Sequence, residues 1–429
     1  MAKKHYEQLK ETVYSETLPN GLRVLLMPKP EMTQTFGIFT TDYGSIDQSF
    51  VPINEKDLIT VPDGIAHFLE HKLFEKEDHD VFQFFTQRGA SANAYTSFTK
   101  TAYLFTATSD IAENATTLLD FVQDPYFSDA SVEKEKGIIA QEIQMYDDQP
   151  DWRAFFGVID ALYHHHPVQI DIAGTVESIQ AISKEDLYTC YHTFYHPSNM
   201  IFTLTGNFDP DEMMELIRKN QAEKNFEKVE TIKRDLPVEP TTVNKKNASI
   251  EMPVSISKCM IGIKEEQVKI TDTFMAEELM ADMLLDYFYS KSGEYYQELY
   301  DGDLIDAKFG FESHRQKNFA FSIIGGNTNK PDVFAEKIKQ QLASWKTYQL
   351  TDEAFLRMKK KKIGEVLREM NSMSDVANQL THYEMIGFDF FDLLPTLEKL
   401  TKDQVNQFLN HWIIEENIAV FQVNPSEQK

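Results

Sequence analysis

Cysteine is almost absent. Cys190 and Cys259 are the only two in 429 residues, too few and too far apart for a disulfide framework or a cysteine-based metal site. Long apolar runs are missing too: no stretch approaches the ~18 residues that a membrane-spanning helix needs. Residues 1–13 are polar and charged, without the apolar stretch of a secretory leader, so a cytoplasmic location is the expectation. Positive charge is scarce, with 42 Lys and Arg against 68 Asp and Glu and a net charge of −26. Such a chain repels phosphate backbones and anionic lipid surfaces, which argues against nucleic-acid and membrane-surface binding. There is also no phosphate-binding glycine loop between a strand and a helix.

What is present is a chain too long for one ordinary core, with 42% hydrophobic residues to fill more than one. Residues 22–27, 35–41, 101–108 and 199–206 read as strands. In the third of these, Tyr103, Phe105 and Ala107 share a face. Helical periodicity covers about 63–75, 79–88, 110–122, 130–146, 152–163 and 183–195. Residues 223–248 are rich in Lys and Glu, then carry Pro237 and Pro240, and read as a linker. A weak repeat brackets it. Ser183 and Thr401 each open a helix, and Asn199 and Asn417 each open a strand at the same offset. The expectation is an α+β protein of two similar halves, each a mostly antiparallel sheet backed by helices. Residues 1–222 would form the N-terminal half and 249–429 the C-terminal half.

The chemistry concentrates in Asp63-Gly64-Ile65-Ala66-His67-Phe68-Leu69-Glu70-His71-Lys72-Leu73-Phe74-Glu75. On a helix, Ile65, Phe68, Leu69 and Leu73 form one apolar stripe, while His67, Glu70 and His71 form another. Asp63 is the expected N-cap. Imidazoles four residues apart can reach one cation, with Glu70 beside them as a base. Two imidazoles and one carboxylate leave a zinc ion one open position for water. The third ligand is sought on the helix 129–146, where Glu135 and Glu142 sit in a stripe with Val132, Ile139 and Ile143. Burying carboxylates there needs compensation, from a metal or from an Arg partner. His164-His165-His166 also suggests a metal, but adjacent side chains face different ways.

At these residues the sequence resembles the pitrilysin-like (M16) zinc metallopeptidases, in the short two-domain branch that includes mitochondrial processing peptidase. The match runs through residues 64–71, Glu135 and Glu142, and continues through the stretch 89–96, His166-Pro167 and residues 195–200. The resemblance implies a LuxS/MPP-like metallohydrolase fold and one Zn2+ held by His67, His71 and Glu142. It further implies Glu70 as general base and Glu135 as support for the site. The gap from His71 to Glu142 is a few residues shorter than is usual in that family, which leaves Glu135 as the alternative ligand. The edge strand with Asn93, Ala94 and Tyr95 would bind an extended peptide as an added strand.

One departure stands out. Active members carry an Arg and a Tyr seven residues apart in the C-terminal part, and here Tyr300 and Ala307 occupy those places. The resemblance therefore implies a heterodimer with a related chain lacking HxxEH, a homodimer being the second choice. The competing readings are a non-catalytic assembly subunit and a metal-dependent hydrolase of small substrates.

Overall fold

β-Branched and aromatic residues in alternation set the strands, and the computed structural model places them within a residue or two of the expected bounds. It describes residues 1–226, 229, 231–265 and 268–426; within the expected linker, residues 227, 228 and 230 lie outside the described residues. The first sheet has seven strands: Ala2–Tyr6 (β1), Glu11–Thr17 (β2), Arg23–Pro28 (β3), Thr35–Thr41 (β4), Ser91–Thr96 (β5), Thr101–Ala107 (β6) and Met200–Gly206 (β7). Their order is β1-β2-β3-β7-β4-β6-β5. Only β3 and β7 pair in parallel. β4 and β7 are buried along their whole length, as central strands covered on both faces must be. β5 is the edge.

The second sheet has five strands: Asn247–Met252 (β8), Ser257–Lys264 (β9), Gly310–Gln316 (β10), Phe319–Thr328 (β11) and Ile418–Pro425 (β12). Their order is β8-β12-β9-β11-β10, and only β8 and β12 are parallel. This repeats the order β3-β7-β4-β6-β5, strand for strand. The capping signals repeat as well. Ser183 and Thr401 both cap their helices through reciprocal capping boxes, with Asp186 and Gln404 as the partners.

The chain groups into two compact units. One comprises Met1–Ile143, Asp171–Leu236 and Leu367–Phe391, the other Gln144–Ile170, Pro237–Val366 and Asp392–Lys429. Each unit therefore takes a helix from the opposite half of the sequence. The helix Pro150–Leu162 packs on β9 and β12 of the second unit. There Gly157 lets the Phe421 ring lie directly on the helix backbone, where any Cβ would collide. The helix Met373–Ile386 packs on β4 and β7 of the first unit. Met373 and Ala377 are buried with Phe36, Ile38 and Ala102. Buried hydroxyls fix its seat: Thr203 and Thr381 are 2.7 Å apart, and Thr205 donates to the Met373 carbonyl at 2.8 Å.

No helix among the described residues is long and apolar enough to cross a membrane.

Candidate metal centre

The HxxEH segment folds as the helix Ile65–Leu73 (α1), whose Ile65, Phe68, Leu69 and Leu73 are buried. Asp63 is not its cap. Gly64 holds that position with φ of 85°, a left-handed conformation suited to glycine, packed against the Ala173 backbone. The Asp63 carboxylate instead accepts a hydrogen bond from Gln48 at 2.7 Å. A glycine in close contact at the helix start fixes the direction in which α1 leaves the loop, and hence where its histidines point.

Glu135 and Glu142 lie on one helix, Asp129–Asp147 (α2). The rings of His67 and His71 are 4.5 Å apart between centroids. The Nε2 atoms of His67 and His71 face Glu142 Oε2, at 3.8 Å and 3.5 Å. One donor atom from each of His67, His71 and Glu142 lies within 4.8 Å of the other two. Donors of a tetrahedral zinc site at ~2.0–2.1 Å bond lengths stand about 3.4 Å from one another, so this set fits the ion with little movement. Glu135 has a different place. Its Oε1 lies 3.0 Å from His71 Nδ1, on the side of the ring away from Glu142. That contact fixes the tautomer that leaves Nε2 free. The geometry thus separates the two glutamates, with Glu142 among the donors and Glu135 behind one of them. His67 Nδ1 is buried and lacks a comparable hydrogen bond.

Electrostatics suit a cation. Burial and the neighbouring His71 push the His67 imidazole down to about 4, so it is neutral near pH 7, as a metal ligand must be. Burial acts the same way on His71. There the hydrogen bond that His71 donates to Glu135 and the charges of Glu70, Glu135 and Glu142 outweigh it and hold the ring above its ordinary range. Burial raises the Glu70 carboxyl, opposed by a hydrogen bond from Thr96. A raised carboxyl suits a group that must take a proton and give it back.

The cleft beside α1 has a volume of about 350 Å³, and Glu70, His71, Phe74, Asn93, Ala94 and Glu135 line it. β5 borders it with the strand edge that no other strand among the described residues pairs. Asn93 Oδ1 accepts the Ala94 N–H at 2.9 Å. Tyr95 points the other way, as strand alternation requires. Its hydroxyl donates to Asn378 Oδ1 at 2.7 Å, so it anchors the strand and does not line the cleft.

Two further groups were singled out in the sequence. The His164, His165 and His166 backbone N–H groups converge on the Glu239 carboxylate at 2.8–2.9 Å, with the Lys264 ammonium on the same carboxylate. That is an anion nest built by main chain, with no ligand geometry in the rings. Tyr300 lies on the helix Glu294–Asp301 with 59% of its surface exposed, and Ala307 is exposed in the turn beyond. Arg315, in β10, is buried and bound to both Glu265 and Glu277. The counterpart of α1 in the second unit, the helix Phe274–Tyr289, carries Asp282 and Asp286 four residues apart. Lys361 meets Asp286 at 2.6 Å, and Lys362 meets Asp282 at 3.3 Å. Ammonium groups thus provide the positive charge there.

Residues 60–176 match the family described as Insulinase (Peptidase family M16), and residues 181–362 match the Peptidase M16 inactive domain. The uncharacterized zinc protease YmfH of Bacillus subtilis (strain 168) is 47% identical over 421 residues, covering 98% of both chains. A crystal structure of an M16-like peptidase from Alicyclobacillus acidocaldarius superimposes with a TM-score of 0.93. It is 41% identical and covers 97% of this chain and 99% of its own. A protease from Helicobacter pylori shares the fold, with a TM-score of 0.81 at 20% identity over 96% of this chain and 99% of its own.

Proposed function

Because the chain belongs to the M16 family of peptidases, we propose that it is a zinc-dependent endopeptidase acting on extended peptides. The observation that carries this reading is the convergence of His67, His71 and Glu142 on one point, with Glu70 beside them and, along the cleft, a strand edge that no other strand among the described residues pairs. His67, His71 and Glu142 would hold the ion. A bound zinc ion would supply Lewis acidity toward a substrate carbonyl and toward water. The protein's own groups do the rest. Glu70 takes the proton from the attacking water and returns it to the departing amine. Glu135 keeps the His71 ring in its tautomer. The edge of β5 pairs with the main chain of the peptide, so recognition rests mainly on backbone and less on side-chain identity.

The complete active unit, on this reading, is a heterodimer. The C-terminal part has Tyr300 and Ala307 where an Arg and a Tyr would hold the substrate carbonyl, and both positions are exposed. A related chain carrying that pair, and lacking HxxEH, would supply it. A homodimer is the second choice, since every site in it would share the same lack.

The test pairs elemental analysis with cleavage of a quenched peptide library by the parent protein and Glu70→Gln, each with and without the related chain. One zinc per chain in both proteins, with cleavage only by the parent, is the expected outcome. A zinc-free parent, or a Glu70→Gln protein that cleaves as well as the parent, would overturn the reading.

A further inference from the structure

We propose that Thr96 is a positioning residue for Glu70, tying the base to the strand on which the peptide would lie. The inference rests on Glu70 being the base. Thr96 is the last residue of β5, and alternation puts it on the same face as Ala92 and Ala94. The two alanines are too short and too apolar to address a carboxylate. Thr96 is the one residue of that row able to do so, and its Oγ1 lies 2.9 Å from Glu70 Oε2.

The direction of that bond is fixed. An ionised carboxylate only accepts, so the Thr96 hydroxyl must donate. Nothing nearby competes on equal terms for its proton. Thr101 Oγ1, which donates its own proton to the Tyr43 carbonyl at 2.9 Å and could accept another, is 3.5 Å away and neutral, a weaker acceptor than the carboxylate at 2.9 Å. Behind them the Tyr103 and Tyr195 hydroxyls pair with each other at 2.8 Å in a fully buried wall. The Thr96 backbone N–H also donates to the Glu70 carboxylate, and among the described residues the Thr96 hydroxyl is the one side-chain group hydrogen-bonded to it.

Two consequences follow. The terminal torsion of a glutamate is soft, so a carboxylate without a fixed partner samples many orientations. Thr96 removes that freedom, and its own β-branched side chain is stiff. Because donor and acceptor sit on β5 and α1, one hydrogen bond registers the base against the peptide strand. The residue's contribution is thus to orientation in the reacting complex, and peptide affinity and metal affinity do not depend on it.

The experiment compares Thr96→Val, Thr96→Ser and Glu70→Gln in the full-length protein, in the assembly that gives the parent its activity. Thr96→Val is nearly isosteric and keeps the strand's β-branched character. It should lower kcat roughly 10–100-fold, the scale of a misoriented reacting group. KM, zinc content and melting temperature should stay at parent values. A labelled peptide should bind zinc-free Thr96→Val as it binds the zinc-free parent, measured by fluorescence anisotropy. Thr96→Ser, which restores the hydroxyl, should recover most of the kcat. Parental kcat in Thr96→Val overturns the proposal. So does a loss of kcat matched by loss of zinc or of peptide binding, or a loss that Thr96→Ser fails to repair. If Glu70→Gln is inactive and Thr96→Val is not impaired, this inference alone falls. If Glu70→Gln is as active as the parent, the reading of Glu70 as base falls with it.

Discussion

His71 Nδ1 lies 3.0 Å from Glu135 Oε1, while the Nε2 of the same ring faces Glu142 at 3.5 Å. One imidazole thus spans two carboxylates of one helix. Glu135 is accordingly expected to act through His71 and not as a ligand. Glu135→Gln should keep zinc binding but weaken it about 10–100-fold, because the neutral amide accepts the Nδ1–H more weakly and no longer raises the basicity of the ligating ring. A zinc titration against a competing chelator measures this. Complete loss of zinc in that variant would make Glu135 a ligand.

His67 and Glu142 predict a harsher outcome. Removing either leaves too few protein donors to hold the ion in competition with water. His67→Ala and Glu142→Gln should each fall from one zinc per chain to a small residual content, by elemental analysis after dialysis. Full occupancy in both would move the metal elsewhere.

The edge of β5 gives a test of peptide recognition. Ala94→Pro removes the N–H now accepted by Asn93 Oδ1 and cannot donate to an added strand. The variant should retain zinc while KM rises steeply or turnover disappears. Unchanged kinetics in a folded Ala94→Pro protein would mean that peptides bind elsewhere.

Tyr300 and Ala307 bear on the partner. The isolated chain should bind zinc yet cleave poorly. Adding a related chain with Arg and Tyr at those places should raise kcat/KM at least ~100-fold, which corresponds to about 3 kcal/mol of transition-state stabilisation. Full activity of the purified chain alone would refute the heterodimer.

His382 supplies a prediction away from the metal. Burial, helped by the charge of Lys100, pushes its ring down to about 3 from an ordinary 6.5. The folded protein keeps the ring neutral, while the unfolded chain protonates it. This contribution to stability is therefore intact above about 6.5 and is lost as the pH falls from there towards 3. Thermal melts should show Tm declining with acid across that window, and less steeply in His382→Gln. Parallel curves for the two proteins would remove His382 from the account.

Much of the site was legible because helical spacing is short-range physics. An offset of four from His67 to His71, and of seven from Glu135 to Glu142, places each pair on one face before any tertiary structure is known. Alternation marked β6, and the repeat from Ser183 to Thr401 marked two halves of one topology. What stayed hidden depends on partners distant in sequence. The Asp63 cap failed because Gly64 and the Ala173 backbone decide how α1 begins. The partner of the Tyr95 hydroxyl, Asn378, is supplied by a helix almost three hundred residues on. Thr96 carried a faint signal, a hydroxyl ending a row of alanines, whose meaning needed the position of Glu70.

The helix Met373–Ile386 has a consequence for how the protein is made. It covers β4 and β7, the central strands of the sheet beside the candidate metal cleft, yet it is made long after both. Until it arrives, Phe36, Ile38 and Ala102 lack their cover, and the apolar face of Pro150–Leu162 waits for β9 and β12. Synthesis from the N-terminus therefore cannot finish the half that carries His67 and His71 first. The two halves must mature together, and a nascent chain stalled before residue 373 would expose apolar surface for chaperones to hold.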